Sequence, residues 1–309
     1  MKILLVADVP GWAWDYKAQA LIKNLPEFQL HKTYSSYYHP GMTKAFDGVF
    51  FFGWNEIQGD PRQLLSSISS HNYYLLDKDL ASRLIPQFKG LVTVSKELYK
   101  LIKEINPNTF CAPNGVDHKL FVPNKPSEKK KLVVGWVGQK LDSSAGLSGR
   151  PYDVKGYHLI MKEIMKRLEN EKNIEFKIND NTHHNGVHLE KMAEFYHDVD
   201  VQLCTSFAEG TPNPLFEAAA CGTALISTMV GCAPELISDS FNGFLVESYN
   251  KEEECEDRVD TFIKHLLYLK DNKDVCRDMG KRSREIIEKS WTWEQRAKQY
   301  IPLFELLLN

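Results

Sequence analysis

Phe207-Ala208-Glu209-Gly210-Thr211-Pro212-Asn213-Pro214-Leu215-Phe216-Glu217-Ala218-Ala219-Ala220-Cys221-Gly222 sets two carboxylates around the start of an apolar, small-residue helix. Asn213 is a favoured N-cap residue, and Pro214 then falls at the first helical position, where its missing N–H costs nothing. The helix is expected to begin there, with Glu209 ahead of it and Glu217 in its first turn. Gly210, Thr211 and the Pro212–Pro214 turn form a loop whose free backbone N–H groups, with the positive end of the helix dipole, suit an anion such as a diphosphate. Ala218, Ala219 and Ala220 let the helix lie close on a sheet, and Gly222 stops it before a strand at 223–227.

Outward from this segment, strands alternate with helical stretches in the manner of doubly wound α/β domains. The first half offers strands at 3–7, 48–52, 73–76 and 91–94, with helices at 16–25 and 96–105. Residues 122–131 are Pro-rich, charged and poor in apolar residues, which is the composition of an interdomain linker. A second set of strands follows at 132–137, 174–178, 201–204, 224–227 and 244–246. The expected division is a first Rossmann-like domain at 1–125 on the acceptor side, a second at 126–291 for the donor, and a capped C-terminal helix at 292–309 that completes the first.

The 309 residues and 43% hydrophobic content suffice for two such cores. Six cysteines, with no Cys-x-x-Cys pair, read as reduced core thiols. The opening apolar run at 1–6 is too short for a signal peptide and no later stretch reaches membrane-spanning length, so a cytoplasmic protein is expected. A net charge of −3 argues against a broad nucleic-acid footprint. The basic run 129–131 and the acidic run 252–257 read as solvated surface. The first strand-to-helix turn, Asp8 to Asp15, lacks a Gly-x-Gly-x-x-Gly fingerprint, which counts against a dinucleotide oxidoreductase, and no P-loop is present.

Glu209 and Glu217, separated by seven residues, stand with Cys221-Gly222, a strand, Gly231-Cys-Ala-Pro-Glu235 and Asn242-Gly-Phe-Leu-Val246. In this combination the chain resembles the retaining GT-B glycosyltransferases of the glycosyltransferase family 4 type (glycosyl transferases group 1). The resemblance covers most of residues 90–300 and thins before that. It implies an α/β GT-B fold of two Rossmann-like doubly wound domains facing a central cleft. It also implies transfer of a sugar from a nucleoside-diphosphate sugar to an acceptor hydroxyl with retention at the anomeric carbon. Glu209 would lie by the donor sugar and Glu217 would bind the ribose hydroxyls. Without the resemblance, Glu217 reads as a carboxylate favouring the helix dipole and Glu209 as a solvated loop residue.

Breaking the glycosidic bond leaves negative charge on a phosphate oxygen, so cationic groups are required nearby. The family places an Arg after a strand ending in Val-Gly, then a Lys-Gly. Here Val137-Gly138 leads through Gln139-Lys140 and a longer loop to Arg150 and then Lys155-Gly156. Lys155 matches best. Arg150 has the right spacing to Lys155 but is separated from the strand end, so Lys140 competes with it for the second phosphate contact. Glu209, Lys155 and Arg150 are the expected catalytic group, and Glu217, Gly210, Thr211, Asn213, Leu215, Gly11 and Lys140 the donor-binding group. Gly11 owes its place to its family counterpart, which lies over the donor phosphates and acceptor.

Trp12 and Trp14 read equally as stacking surfaces for an acceptor and as packing residues. His183, His184 and His188 invite a metal reading, but the surrounding loop lacks defined ligand spacing. No metal and no cofactor beyond the donor substrate are expected. Asp8, Asp77 and His71 fall near strand ends, and none is singled out as a base. The acceptor class stays open between a glycan, a lipid-linked glycan, another hydroxyl compound and modified DNA. Two further readings are a nucleotide-sugar epimerase of the same architecture and a non-catalytic sugar-nucleotide-binding relative.

Overall fold

The computed structural model describes residues 1–69, 78–124, 130–140, 153–182, 188–247 and 255–308. The chain divides into two compact units, Met1–Gly115 with Trp291–Asn309, and Val116–Ser290. The strand expected at 73–76 lies outside the described residues, as do Arg150, His71, Asp77, His183 and His184.

In the first unit β1 (Lys2–Ala7), β2 (Gln29–Tyr34), β3 (Gly48–Phe51), β4 (Leu64–Ile68), β5 (Gly90–Thr93) and β6 (Thr109–Cys111) form one sheet in the order β2-β1-β3-β4-β5-β6. Every pairing is parallel. Parallel sheets are covered on both faces, and β1 shows why this one is: Ile3 and Leu5 join one apolar cluster while Leu4 and Val6 join another. Sequence periodicity does not find β2, β4 and β6. β2 is an edge strand of polar composition, β4 hides two serines whose hydroxyls donate to the Phe51 and Phe52 carbonyls, and β6 is only three residues long.

The C-terminal segment completes this unit. Thr292 and Gln295 close a capping box, and Ala297, Tyr300, Leu303 and Phe304 are wholly buried in the cluster that also holds Ile3, Leu5 and Phe50. The single expected helix is four short pieces, Trp293–Arg296, Ala297–Tyr300, Ile301–Glu305 and Leu306–Leu308, with Pro302 near the start of the third.

The second unit holds β7 (Leu132–Gly138), β8 (Ile174–Asp180), β9 (Val201–Cys204), β10 (Ala224–Thr228) and β11 (Gly243–Val246), all parallel in the order β11-β10-β9-β7-β8. The order reverses between β7 and β9, because the chain passes from β7 outward to β8 and returns to β9 on the other side. Ligands of open parallel sheets bind at such a switch point, outside the carboxyl ends of the strands. Arg284 ties this unit together, donating to the carbonyls of His118, Phe121 and Ala220 at 2.7–3.0 Å.

All six cysteines are free. Burial pushes the Cys221 and Cys276 thiols up to about 12, so these two are inert. Among the described residues no helix is long and apolar enough to cross a membrane.

Candidate donor site at the switch point of the second sheet

Lys155 and Glu209 meet. Lys155 Nζ lies 2.6 Å from Glu209 Oε1, and the same oxygen accepts from Ser206 Oγ at 2.8 Å. The two side chains are 32% and 12% exposed, so the pair is reachable by a ligand without being fully solvated. Each comes from a loop at a strand end: Glu209 follows β9, and Lys155 follows the stretch after β7.

A buried chain of bonds holds the Lys155 turn. Trp136 Nε1, on β7, donates to Thr205 Oγ1 at 3.0 Å, and Thr205 Oγ1 donates to the Lys155 carbonyl at 2.8 Å. The Phe207 N–H donates to the Val154 carbonyl at 2.9 Å, so the loops carrying Lys155 and Glu209 are joined backbone to backbone. Gly156 sits at φ +66°, and a Cβ there would stand 2.0 Å from the Thr205 carbonyl oxygen. Only glycine fits that turn.

Asp153 was not visible as a site residue, yet it decides how the turn works. It is 7% exposed, and its carboxylate accepts from the N–H groups of Tyr157, His158 and Leu159 at 2.9, 2.6 and 2.9 Å. These are orphan donors at the start of the helical stretch Tyr157–Met161. With those donors taken, an anion at this end meets side chains rather than a helix N-terminus. An Asp just ahead of Lys-Gly and a helical run is a capping signal that sequence reading can use.

Lys140 stands beside the same turn. Its Nζ is 4.6 Å from the centroid of the Tyr157 ring and 3.9 Å from Asp180 Oδ2, and its N–H donates to Thr182 Oγ1 at 2.7 Å. The Asp180 carboxyl is partly desolvated, yet hydrogen bonds from Thr182 hold it below the usual carboxylate range.

The Glu209-to-Glu217 segment differs from its sequence reading by one residue. The helix is Asn213–Ala220 with Pro212 as its cap residue, so Asn213 occupies the first helical position, Pro214 the second, and Glu217 the second turn. The cause is local: the Asn213 N–H donates to the Thr211 carbonyl at 2.8 Å and the Leu215 N–H to the Pro212 carbonyl at 2.9 Å. Of the loop N–H groups expected to be free for an anion, that of Asn213 is engaged within the turn. The helix ends as expected: Gly222 N–H donates to Ala219 O and Thr223 N–H to Ala218 O, at 3.0 and 3.1 Å, a Schellman closure.

Gly210 is clamped from the far side. Cys232 N–H donates to the Gly210 carbonyl at 2.9 Å, and Gly231, at φ +52°, comes so near that a Cβ would stand 2.1 Å from that oxygen. The Gly231-Cys-Ala-Pro motif therefore fixes the loop that follows Glu209.

Glu217 has a partner that spacing could not reveal. Tyr196 Oη, from the helix Leu189–His197, donates to Glu217 Oε2 at 2.9 Å. Burial pushes the Glu217 carboxyl up to about 7, with the Tyr196 bond pulling the other way. Burial likewise pushes the Tyr196 phenol well up, with the Glu217 charge beside it adding to the effect.

Gly11 belongs to the first unit. It takes φ +74°, and its N–H donates to Asp15 Oδ2 at 2.9 Å. The Asp15 carboxylate also accepts from Gln19 Nε2 at 3.0 Å, from Tyr34 Oη at 3.1 Å and from Lys32 Nζ. Trp14 is a packing residue: it joins the apolar cluster of β1, and its ring lies where a Cβ on Gly53 would be 2.7 Å away. Trp12 is 42% exposed. Burial raises the Asp8 carboxyl, and Asp8 Oδ1 has no hydrogen-bond partner among the described residues. Among those residues no group of three His, Cys, Asp or Glu side chains could hold a metal ion.

Residues 146–265 match the family model "Glycosyl transferases group 1". An uncharacterized glycosyltransferase of Methanocaldococcus jannaschii is 24% identical over 124 residues, which cover 40% of this chain and 30% of that protein. The D-inositol 3-phosphate glycosyltransferase of Paenarthrobacter aurescens is 27% identical over 211 residues, covering 60% of this chain and 48% of that one. The chain thus spans about half or less of the length of these curated relatives. Among solved structures, the sucrose-phosphate synthase of Thermosynechococcus elongatus superposes with a TM-score of 0.71 at 12% identity, over 100% of this chain and 99% of that one. Anabaena HepE in complex with UDP-glucose gives 0.68 at 14% identity, over 99% of both chains. The protein has the GT-B fold of glycosyltransferases, and its central segment, at the switch point that joins Lys155 to Glu209, is similar to glycosyl transferases group 1.

Proposed function

We propose that the protein is a retaining glycosyltransferase that moves a hexosyl group from a nucleoside-diphosphate sugar to an acceptor hydroxyl. The observation that carries this reading is the Lys155–Glu209 pair at 2.6 Å, a partly exposed cation on a mostly buried carboxylate at the switch point of a parallel sheet. Lys155, with Lys140 near the same turn, stabilises the charge that gathers on the departing diphosphate. Glu209 orients the donor sugar, and Glu217 receives the ribose hydroxyls. A carboxyl poised near 7 suits that task, because two hydroxyl donors favour its charged form and so couple nucleotide binding to loss of a proton. Leaving-group phosphate oxygen can itself take the acceptor proton, so the reaction needs no separate base. No metal is assigned; lysines at the diphosphate supply the positive charge.

HepE, a structural neighbour, holds UDP-glucose, which makes uridine diphosphate sugars the first donors to try. The epimerase alternative gains no support from the two relatives above, both named as glycosyltransferases. The test is a thermal-shift panel of UDP, GDP, ADP and their sugars without metal, followed by an assay for diphosphate release with candidate acceptors. Stabilisation by one diphosphate and its release on turnover are expected. No stabilisation by any of them would sink the reading. The anomeric configuration of the product, read by NMR, tests retention separately.

A further inference from the structure

Arg258 occupies the first turn of the helix Cys255–Asp271 and is 2% exposed. Among the described residues nothing hydrogen-bonds its Nε, Nη1 or Nη2. Its guanidinium lies 5.1 Å from the centroid of the Phe207 ring. A guanidinium cannot shed its proton to escape burial. A buried charge with no partner is destabilising, and a ring face compensates only in part. An apolar side chain of similar volume would therefore be the more stable occupant, as it is at many buried ion pairs. Among the described residues the charge has no group to serve, and a bound anion is the partner that its burial fits.

Phe207 says where that is. Its backbone N–H donates to the Val154 carbonyl at 2.9 Å, next to Lys155, and it precedes Glu209 by two positions. The ring beside the Arg258 guanidinium thus belongs to the loop that carries Glu209, which is hydrogen-bonded to the residue before Lys155. Buried charges are screened little by solvent or salt, so a cation beside this loop can act on an anion that the loop binds.

We propose that Arg258 is a positioning residue: a buried cation beside Phe207 whose field strengthens the binding of the donor's diphosphate at the Lys155–Glu209 loops without touching it. The inference rests on the donor-site reading above. It explains why a guanidinium is kept where methionine would pack better, and it makes the effect of residue 258 scale with ligand charge.

The experiment measures affinities of the full-length wild type, Arg258→Met and Arg258→Lys for a nucleoside, its monophosphate and its diphosphate, using whichever base the wild type binds. Arg258→Met is expected to bind the nucleoside like wild type, the monophosphate several-fold more weakly and the diphosphate about tenfold more weakly. Arg258→Lys keeps the charge and is expected to recover most of the loss. Unliganded Arg258→Met is expected to melt at or above the wild-type temperature. Equal weakening for nucleoside and diphosphate would mean a merely structural role and overturn the proposal, as would unchanged diphosphate affinity. If methionine prevents folding, Arg258→Gln makes the same charge-scaling comparison. Failure of the wild type itself to bind any diphosphate would bring down the donor-site reading, an outcome distinct from a wild type that binds and a variant that binds equally well.

Discussion

Two carboxylates next to strand-to-helix turns, Asp15 in the first unit and Glu209 in the second, have opposite hydrogen-bond economies. Asp15 is 4% exposed and saturated: Gly11 N–H, Gln19, Tyr34 and Lys32 all donate to it, so its turn is closed by its own side chains. Glu209 shares one oxygen between Lys155 and Ser206, and its lysine partner is about one-third exposed. A saturated carboxylate fixes architecture and offers a ligand nothing. A pair whose lysine is one-third exposed stabilises the fold less and can trade its bonds for those of a substrate. Asp153 belongs with Asp15, three backbone donors filling it, whereas Glu217, with one bond to Tyr196, belongs with Glu209.

The sharpest way to break this contrast is Asp15→Ala. It strands the Lys32 ammonium and the Gly11 N–H in a partly buried place, and a loss of about 3 kcal/mol in unfolding free energy at pH 7 is expected. Burial opposes the Asp15 charge, but the Gly11 N–H and Lys32 overcome it and hold the carboxyl below its usual range. A depressed carboxyl stabilises the fold above its unfolded pKa, and that contribution is lost as pH falls through the folded value. The gap between wild type and variant in denaturant titrations should therefore shrink toward acid. A gap that held constant down to pH 3 would show that packing, not charge, makes the difference.

Glu217 carries the opposite sign. Its carboxyl is raised from 4.5 to about 7, so between those values the folded state holds more protons than the unfolded state and stability falls as pH rises. Glu217→Gln keeps an acceptor for Tyr196 while removing the ionisation. It should match wild type near pH 5 and exceed it by roughly 2 kcal/mol at pH 8, while losing affinity for nucleotide. Wild-type nucleotide affinity should itself rise with pH through 7. Parallel stability curves for the two proteins would place the Glu217 carboxyl in the ordinary range.

The fold was more legible than the site's bonding. β9 and β10 are wholly buried, short, mostly apolar segments, and their positions follow directly from the sequence. β2 and β4 escaped because an edge strand needs no apolar stripe and because the buried serines of β4 are satisfied by neighbouring carbonyls, which only the folded sheet supplies. At the site, the residue types of the Glu209–Gly222 segment were readable, but the cap slipped by one position because Pro212, with no cap bond of its own, leads the helix. The contacts Tyr196–Glu217 and Arg258–Phe207 join residues from separate elements, and no local spacing encodes them. Asp153 alone among the missed residues carried a local signal.

The smallest expected stability effect is the most informative about function. Lys155→Ala and Glu209→Gln should each stay within about 1 kcal/mol of wild type, since the lysine is one-third exposed and Ser206 can still donate to residue 209. Their ligand effects should diverge. Removing Lys155 takes a cation from the diphosphate and leaves Glu209 repelling it, so affinity for diphosphate and for its sugar should fall together, by about tenfold or more. Removing the Glu209 charge frees Lys155 from its partner and removes that repulsion, so free diphosphate should bind as well as or better than to wild type, while sugar transfer falls. Isothermal titration with the diphosphate and its sugar, beside turnover, separates the two. If both variants instead lost stability on the scale of Asp15→Ala, the Lys155–Glu209 pair would be architecture, and the donor's phosphates would have to be held elsewhere.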